Sequence, residues 1–207
     1  DREELHALQL ERLQKTVKYC YERVPFYKRK FDEIGLLPED IKTLDDLAKV
    51  PFTVKTDLRD EYPNGLQAAD DKDIVRYHAS SGTTGKPIVA MYTRKDLEMW
   101  SECVARCLTM YGVTDQDKAQ VSYGYSLFTG GLGLHDGATK VGCNVLPTSS
   151  GNTQKQLMLM KDLGMTTLCC TPSYALYLSE VLMDEGMKPE DIPLKHGIFG
   201  AEPWTEE

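Results

Sequence analysis

Between residues 80 and 87 the chain reads Ser80-Ser81-Gly82-Thr83-Thr84-Gly85-Lys86-Pro87. Gly82 and Gly85 allow positive φ and a close approach of backbone to a ligand. Successive N–H groups in such a turn form a concave anion site. Ser80, Ser81, Thr83 and Thr84 add hydroxyl donors, and Lys86 adds a mobile positive charge. The set suits the β- and γ-groups of a triphosphate. A Walker A loop has four residues between its glycines, then Lys followed by Ser or Thr at the start of a helix. Here two residues separate the glycines, Pro87 follows Lys86, and Ile88-Val89-Ala90-Met91-Tyr92 reads as a strand. A ligand-free Gly/Thr hairpin is the other reading open at this point.

The elements that must position this loop follow from apolar period. Leu5, Leu8, Leu13, Val17, Cys20 and Val24 recur at mostly three- and four-residue steps until Pro25, which predicts a helix. Thr43 and Asp46 form an N-cap pair for a helix over 45–50, closed by Pro51. Residues 74–79 and 88–93 are rich in β-branched and aromatic residues and predict strands on either side of the loop. Thr93 and Asp96 cap a helix reaching about Tyr111. Beyond Lys118, strands are predicted at 119–123, 144–146, 166–171 and 195–199, alternating with helices at 131–141, 153–163 and 173–184. That alternation implies βαβ units, a parallel sheet and right-handed crossovers. The expected class is α/β: a mainly parallel sheet with flanking helices, residues 1–73 forming a helical cap and residues 74–207 the α/β portion. Ligands of such sheets gather at the carboxyl ends of strands, which draws attention to the loops at 124–130, 148–151, 171–173 and 200–203.

Composition limits the function. The 207 residues carry 24 Lys plus Arg against 32 Asp plus Glu, a formal net charge of −8, with 41 % hydrophobic residues. This is a globular balance, and its acidity argues against binding nucleic acid through the phosphate backbone. A small phosphate site needs only local donors, so a nucleotide remains compatible. The longest apolar runs fall far short of the ~20 residues that cross a bilayer, so no membrane partner is expected. The chain opens on Asp1 without a signal core, read as a trimmed cytoplasmic protein. It stops just after the apolar stretch at 196–204, as a piece of a longer protein would. The six cysteines lack regular spacing and are expected as reduced, small apolar residues. Cys103 and Cys107 share a helix face, but no second pair completes a zinc site. No metal-ligating protein residues are expected.

Ser81-Gly82-Thr83-Thr84-Gly85-Lys86-Pro87 resembles the phosphate-binding loop of the acyl-adenylate-forming enzymes. Tyr123-Gly124-Tyr125-Ser126-Leu127-Phe128-Thr129-Gly130-Gly131-Leu132-Gly133, with His135 and Gly137 following, is similar to the phenylacetate–CoA ligase branch. So are Val24-Pro25-Phe26-Tyr27, Pro51-Phe52-Thr53 and Gly200-Ala201-Glu202-Pro203-Trp204. The resemblance spans essentially the whole chain and implies part of the large N-terminal domain of an adenylate-forming enzyme. It implies ATP and Mg²⁺ as cofactors of acid activation through an acyl-adenylate, then transfer to coenzyme A with release of AMP and pyrophosphate. No protein nucleophile is needed, which agrees with the lack of an evident Ser-His-Asp or Cys-His constellation.

Carried onto this chain, the resemblance makes Lys86, Thr83 and Thr84 the catalytic residues. Ser81, Gly82, Thr83, Thr84, Gly85 and Lys86 hold phosphates, and Gly200, Ala201, Glu202 and Pro203 lie beside adenine. Tyr123, Phe128, Gly130, Gly131, His135 and Ala201 line the acid pocket. Read without the family, Tyr123, Tyr125 and Phe128 are favoured as core aromatics at a strand end, and His135 either steers the carboxylate or caps its helix. Ser126 stands where the branch has Gly, and Asp136 where Tyr is common, so an aryl-substituted acid is expected, with phenylacetate first among them. The family's ribose-binding Asp and C-terminal catalytic Lys have no counterpart in the chain, which is therefore expected to be inactive alone. A homodimer is compatible with this reading. The alternatives are an adenylate-former of the same branch acting on another carboxylic acid, and a non-catalytic nucleotide-binding paralogue.

Overall fold

The computed structural model describes residues 1–82 and 85–205. It divides into two compact units, Asp1–Arg94 and Lys95–Glu207. The first two strands form a sheet of their own and fall within the first unit.

In the first unit, α1 (Arg2–Arg23) ends where Val24 turns extended, and Pro25 occupies the first turn of α2 (Pro25–Glu33). Proline lacks an N–H that a first turn could not use, so Pro25 both ends one helix and opens the next. Val17 of α1 packs with Phe31, Leu36 and Ile41 in a small core ringed by Leu13, Tyr21, Tyr27 and Val50. At about 1.5–3 kcal/mol per buried side chain, this cluster is what holds α1 to the chain that follows it. The segment expected as a helix over 45–50 is a 3₁₀ turn, Leu44–Lys49. Its carboxylate cap is as expected: Asp46 accepts from the N–H groups of Lys42 (2.8 Å) and Thr43 (2.7 Å). A short helix, α3 (Lys55–Asp60), is pinned by Lys30, whose Nζ lies 2.7 Å from Asp57 and donates to the Phe52 carbonyl.

Strands β1 (Ile74–Ala79) and β2 (Val89–Thr93) pair antiparallel, His78 opposite Ala90 and Ala79 opposite Val89. Alternation sends Val75 and Tyr77 to solvent and buries His78, whose ring meets Tyr92 edge-on at 5.5 Å.

The second unit is a four-stranded parallel sheet in the order β4–β3–β5–β6. Its strands are β3 (Lys118–Val121), β4 (Asn144–Leu146), β5 (Thr167–Cys170) and β6 (His196–Phe199). The helices are α4 (Arg94–Met110), α5 (Gly130–Val141), α6 (Thr153–Asp162) and α7 (Pro172–Asp184). Every one of these elements falls within a few residues of its expected span.

Period-2 alternation divides the sheet into two cores. Leu168 and Cys170 face Leu157 and Met160 of α6 and Leu178 and Leu182 of α7. Ala119 faces Leu108 of α4 and Ala138 of α5. A Cβ on Gly133 would stand 2.5 Å from the Trp100 ring. Glycine is required there so that α5 can approach the indole of α4 at van der Waals distance. The chain runs β3–α5–β4 to one side and β5–α7–β6 to the other. The order therefore reverses between β3 and β5, and a crevice at the carboxyl end of these two strands is the standard ligand position in open α/β sheets.

Candidate functional site

The loop between β1 and β2 is closed at its base by a reciprocal pair. The Ser80 N–H donates to the Ile88 carbonyl, and the Ile88 N–H donates to Ser80 Oγ, each at 2.9 Å. Ser80 is thereby committed to the turn, while Ser81, Gly85 and Lys86 have solvent-facing positions. Gly82 has φ +67°, and the Gly85 N–H bonds back to its carbonyl at 3.0 Å. A Cβ at Gly82 would lie 3.1 Å from the Gly85 carbonyl oxygen and 3.3 Å from the Pro87 nitrogen. Glycine is therefore required twice over, by conformation and by space. Lys86 extends its ammonium over the Tyr62 ring, 5.4 Å from the centroid, a contact that orients the cation without neutralising it. Thr83 and Thr84 lie outside the described residues.

In the second unit, Tyr123 leaves the end of β3 and reaches across the reversal point. Its hydroxyl lies 2.5 Å from the Cys170 carbonyl at the end of β5 and 3.2 Å from the Gly200 carbonyl after β6. One proton serves two acceptors, so the ring ties three strand ends together. Burial pushes the phenol up to about 12, which keeps it a donor at any physiological pH.

Phe128 is more than half exposed and so is not a core aromatic. Atoms of its ring and of the Tyr123 ring lie 3.7 Å and 3.9 Å from where a Gly130 Cβ would stand. Gly131 presses on the loop backbone, where a Cβ would come 2.9 Å from the Gly124 carbonyl. His135 is inside α5 rather than at either end. Thr129 precedes the first turn and Gly142 closes the last, so His135 caps nothing. Its Nδ1 lies 3.3 Å from the Tyr125 hydroxyl, with the two rings perpendicular. Burial pushes the Tyr125 phenol up to about 12 as well.

After β6, Ala201 adopts φ +69°, an uncommon conformation for a residue with a Cβ. The next carboxylate, Glu202, accepts from Ser173 Oγ (2.9 Å) and the Ser173 N–H (3.1 Å) at the first turn of α7. These bonds hold it below the usual carboxylate range, and the helix N-terminus favours the same charge.

The structure thus gathers Tyr123, Phe128, Gly130 and Gly131 at the end of β3, and Tyr123 also joins Gly200. Sequence reasoning singled out the loop at 171–173 without giving Ser173 a role, and missed the buried amide of Gln156, which bonds to the loops after β3 and β4. Gln154-Lys155-Gln156 reads as a polar run on a helix surface, and nothing in it marks the third residue as buried. Among the described residues, no group of three or more His, Cys, Asp or Glu is placed to hold a metal ion, and no helix is long and apolar enough to cross a membrane.

This fold is similar to that of solved acyl-CoA ligases. A solved 2-hydroxyisobutyryl-CoA ligase in complex with 2-HIB-AMP and CoA superposes with a TM-score of 0.91 at 31 % identity, over 98 % of this chain and 44 % of that one. An open conformation of the same ligase gives a TM-score of 0.88 at 29 % identity, over 96 % of this chain and 47 % of the other.

Among curated proteins the chain is similar to phenylacetate–coenzyme A ligases along nearly its whole length, as its motifs imply. It is 50 % identical to that of Pseudomonas putida over 203 residues, and 51 % identical to that of Thermus thermophilus over 205. Identity to the Escherichia coli K12 ligase is 49 % over 205 residues. The chain spans about half the length of these relatives, 46 % in the first two and 47 % in the third. No family model matches it.

Proposed function

We propose that this chain is the phosphate- and acid-binding part of a ligase that activates an aryl-substituted acetic acid with ATP, phenylacetate first among the candidates. The acid becomes an acyl-adenylate and is then transferred to coenzyme A, giving phenylacetyl-CoA, AMP and pyrophosphate. The observation that carries this reading is the identity of about 50 % to phenylacetate–coenzyme A ligases across 98 % of the chain. Because the chain spans about half of those relatives, the complete reaction is assigned to a longer protein, and thioester formation by the 207 residues alone is not expected. A cytoplasmic location and a small-molecule acid as the partner belong to the same reading, and a homodimer is compatible with it.

The chemical obstacle is charge. A carboxylate must approach a polyphosphate, so negative charge has to be compensated where it builds up. The turn at Gly82, the exposed Ser81 and Gly85 and the Lys86 ammonium fit a phosphate group, and Thr83 and Thr84 complete the proposed set. When bound, Mg²⁺ screens phosphate charge. Gly200, Ala201, Glu202 and Pro203 are assigned to the adenine side. Tyr123, Phe128, Gly130, Gly131, His135 and Ala201 are assigned to the acid. The exposed Phe128 face beside Gly130 offers the flat apolar wall that an aryl group needs.

The test is acid-dependent ATP–pyrophosphate exchange on the longest natural chain containing these residues, with phenylacetate, indoleacetate and benzoate. Exchange with an aryl acid is expected; none with any of the three would sink the substrate class. Lys86→Ala should slow exchange by at least about tenfold, the scale of one lost charge-assisted contact. An unchanged rate would remove Lys86 from the mechanism.

A further inference from the structure

We propose that Gln156 is a positioning residue that fixes the two strand-end loops flanking the acid pocket. This rests on the assignment of Tyr123, Phe128 and Gly130 to the acid. Gln156 lies on α6, beneath the carboxyl ends of β3 and β4, and is 2 % exposed. Its Nε2 donates to the carbonyls of Ser149 (3.0 Å) and Gly151 (2.7 Å). Its Oε1 lies 2.7 Å from Ser122 Oγ and 3.0 Å from both Gln120 Nε2 and Thr148 Oγ1. The amide has only one workable orientation, since two carbonyls cannot bond to an oxygen.

Apart from Gln120, which lies on β3, the partners belong to the two strand-end loops. Ser122 immediately precedes Tyr123. Thr148, Ser149 and Gly151 make up the turn between β4 and α6, where Ser149 has φ +61°, Gly151 φ +81° and Asn152 φ +49°. Two of those residues carry a Cβ in a conformation that disfavours one. Such a turn persists only where its surroundings over-determine it. The Gln156 amide supplies that constraint, bonding to the carbonyls on either side of Ser150. A surface glutamine on a helix would do neither.

The test uses Gln156→Glu, which keeps the shape and one acceptor but turns an oxygen toward the Ser149 and Gly151 carbonyls. Thr148→Val and Thr148→Ser serve as a pair that removes and restores one hydroxyl. In the longest natural chain, Gln156→Glu should speed hydrogen exchange at 122–130 and 148–152 while leaving α7 unchanged. It should also raise KM for the aryl acid by about tenfold with kcat and KM for ATP nearly constant, the signature of lost acid binding. Thr148→Val should give a smaller rise in the same constant, and Thr148→Ser should restore it.

Leu157→Ala, a neighbouring change in the apolar core, is expected to lower thermal stability without selective loss of acid binding. Unchanged loop exchange in Gln156→Glu, or exchange accelerated equally in α7, would overturn the proposal. So would an equal rise in both KM values, or a selective acid effect from Leu157→Ala. If the unmutated protein uses no aryl acid, the acid reading fails and the acid-pocket part of the proposal fails with it. Loop exchange then decides the holding role alone.

Discussion

The loop at 80–88 and the strand-end cluster around Tyr123 reach an ordered surface by opposite means. The loop is closed by bonds local in sequence: Ser80 to Ile88, Gly85 to Gly82, and a glycine where no side chain fits. Its described polar groups, Ser81 and Lys86, face outward. The strand-end cluster is closed by side chains reaching across long stretches of sequence. Tyr123 bonds at Cys170 and Gly200, and Glu202 bonds at Ser173. A site made of backbone tolerates changes elsewhere in the protein but not within itself. A site made of side-chain bonds shares its fate with the sheet that carries it.

Substitutions can break this contrast. The largest effect is expected for Gly82→Val. A β-branched residue at φ +67° against the Gly85 carbonyl should distort the loop and slow pyrophosphate exchange by about a hundredfold, near 2.8 kcal/mol. The melting temperature should barely move, since the loop buries little. A parallel loss of melting temperature would show that the loop is not autonomous.

Next comes Asp117→Asn at the opposite, amino-terminal end of the sheet. Asp117 is buried, which by itself opposes its charge. The Thr114 N–H (2.8 Å) and the hydroxyls of Thr166 (2.8 Å) and Thr114 (3.0 Å) outweigh that cost, helped by His196, and hold the carboxyl below its usual range. A depressed folded-state pKa contributes stability above the unfolded value near 3.9, and that stability is lost as pH falls. Asp117→Asn should therefore cost about 2 kcal/mol at pH 7 and flatten the acid limb of a stability–pH curve measured by urea unfolding. If the limb keeps its slope, another carboxylate governs it.

Tyr123→Phe ranks third. Losing the hydroxyl removes the tyrosine donor from two strand-end carbonyls, leaving Cys170 only the longer bond from the Gly200 N–H (3.4 Å), a cost of about 1–2 kcal/mol in stability. KM for the acid should rise several-fold with it, because stability and binding are coupled in this cluster. A change in KM without a change in unfolding midpoint would contradict the coupling. The smallest effect belongs to Glu202→Gln. This exposed side chain keeps one of the two oxygens that accept from Ser173 and loses its charge at the first turn of α7, so unfolding at neutral pH should change little. Because its carboxyl is held low, any small contribution it makes is present at neutral pH and fades as the solution is acidified.

Much of this architecture was legible before the structure. The positive φ at Gly82 and the strands on either side of the loop follow from glycine and β-branched residues alone. The alternation beyond Lys118 is enough to imply a parallel sheet. What was not legible depends on neighbours distant in sequence. Pro25 looks like an end because the apolar period stops there, yet the same fixed φ starts α2. Residues 44–49 carry the cap of an α-helix, but the six-residue stretch is too short to favour one without a packed face. The aromatic residues at 123–128 divide by role only once their partners are known. Tyr123 braces the sheet, Tyr125 meets His135, and Phe128 faces solvent. Gln156 could not be found from sequence, since a glutamine that satisfies loop carbonyls and one that faces water have the same neighbours along the chain.

The arrangement of thiols has a practical consequence. Cys103 and Cys107 are exposed on α4, while Cys143, Cys169 and Cys170 are buried, and the last two are pushed up to about 12 by burial. Since the thiolate is the reactive form, an alkylating reagent added to the native protein should consume the α4 pair first and reach β5 only when the sheet opens. Labelling localised to Cys169 and Cys170 would then count opening events of β5, turning the cysteine pattern into a built-in clock for the sheet that carries the candidate site.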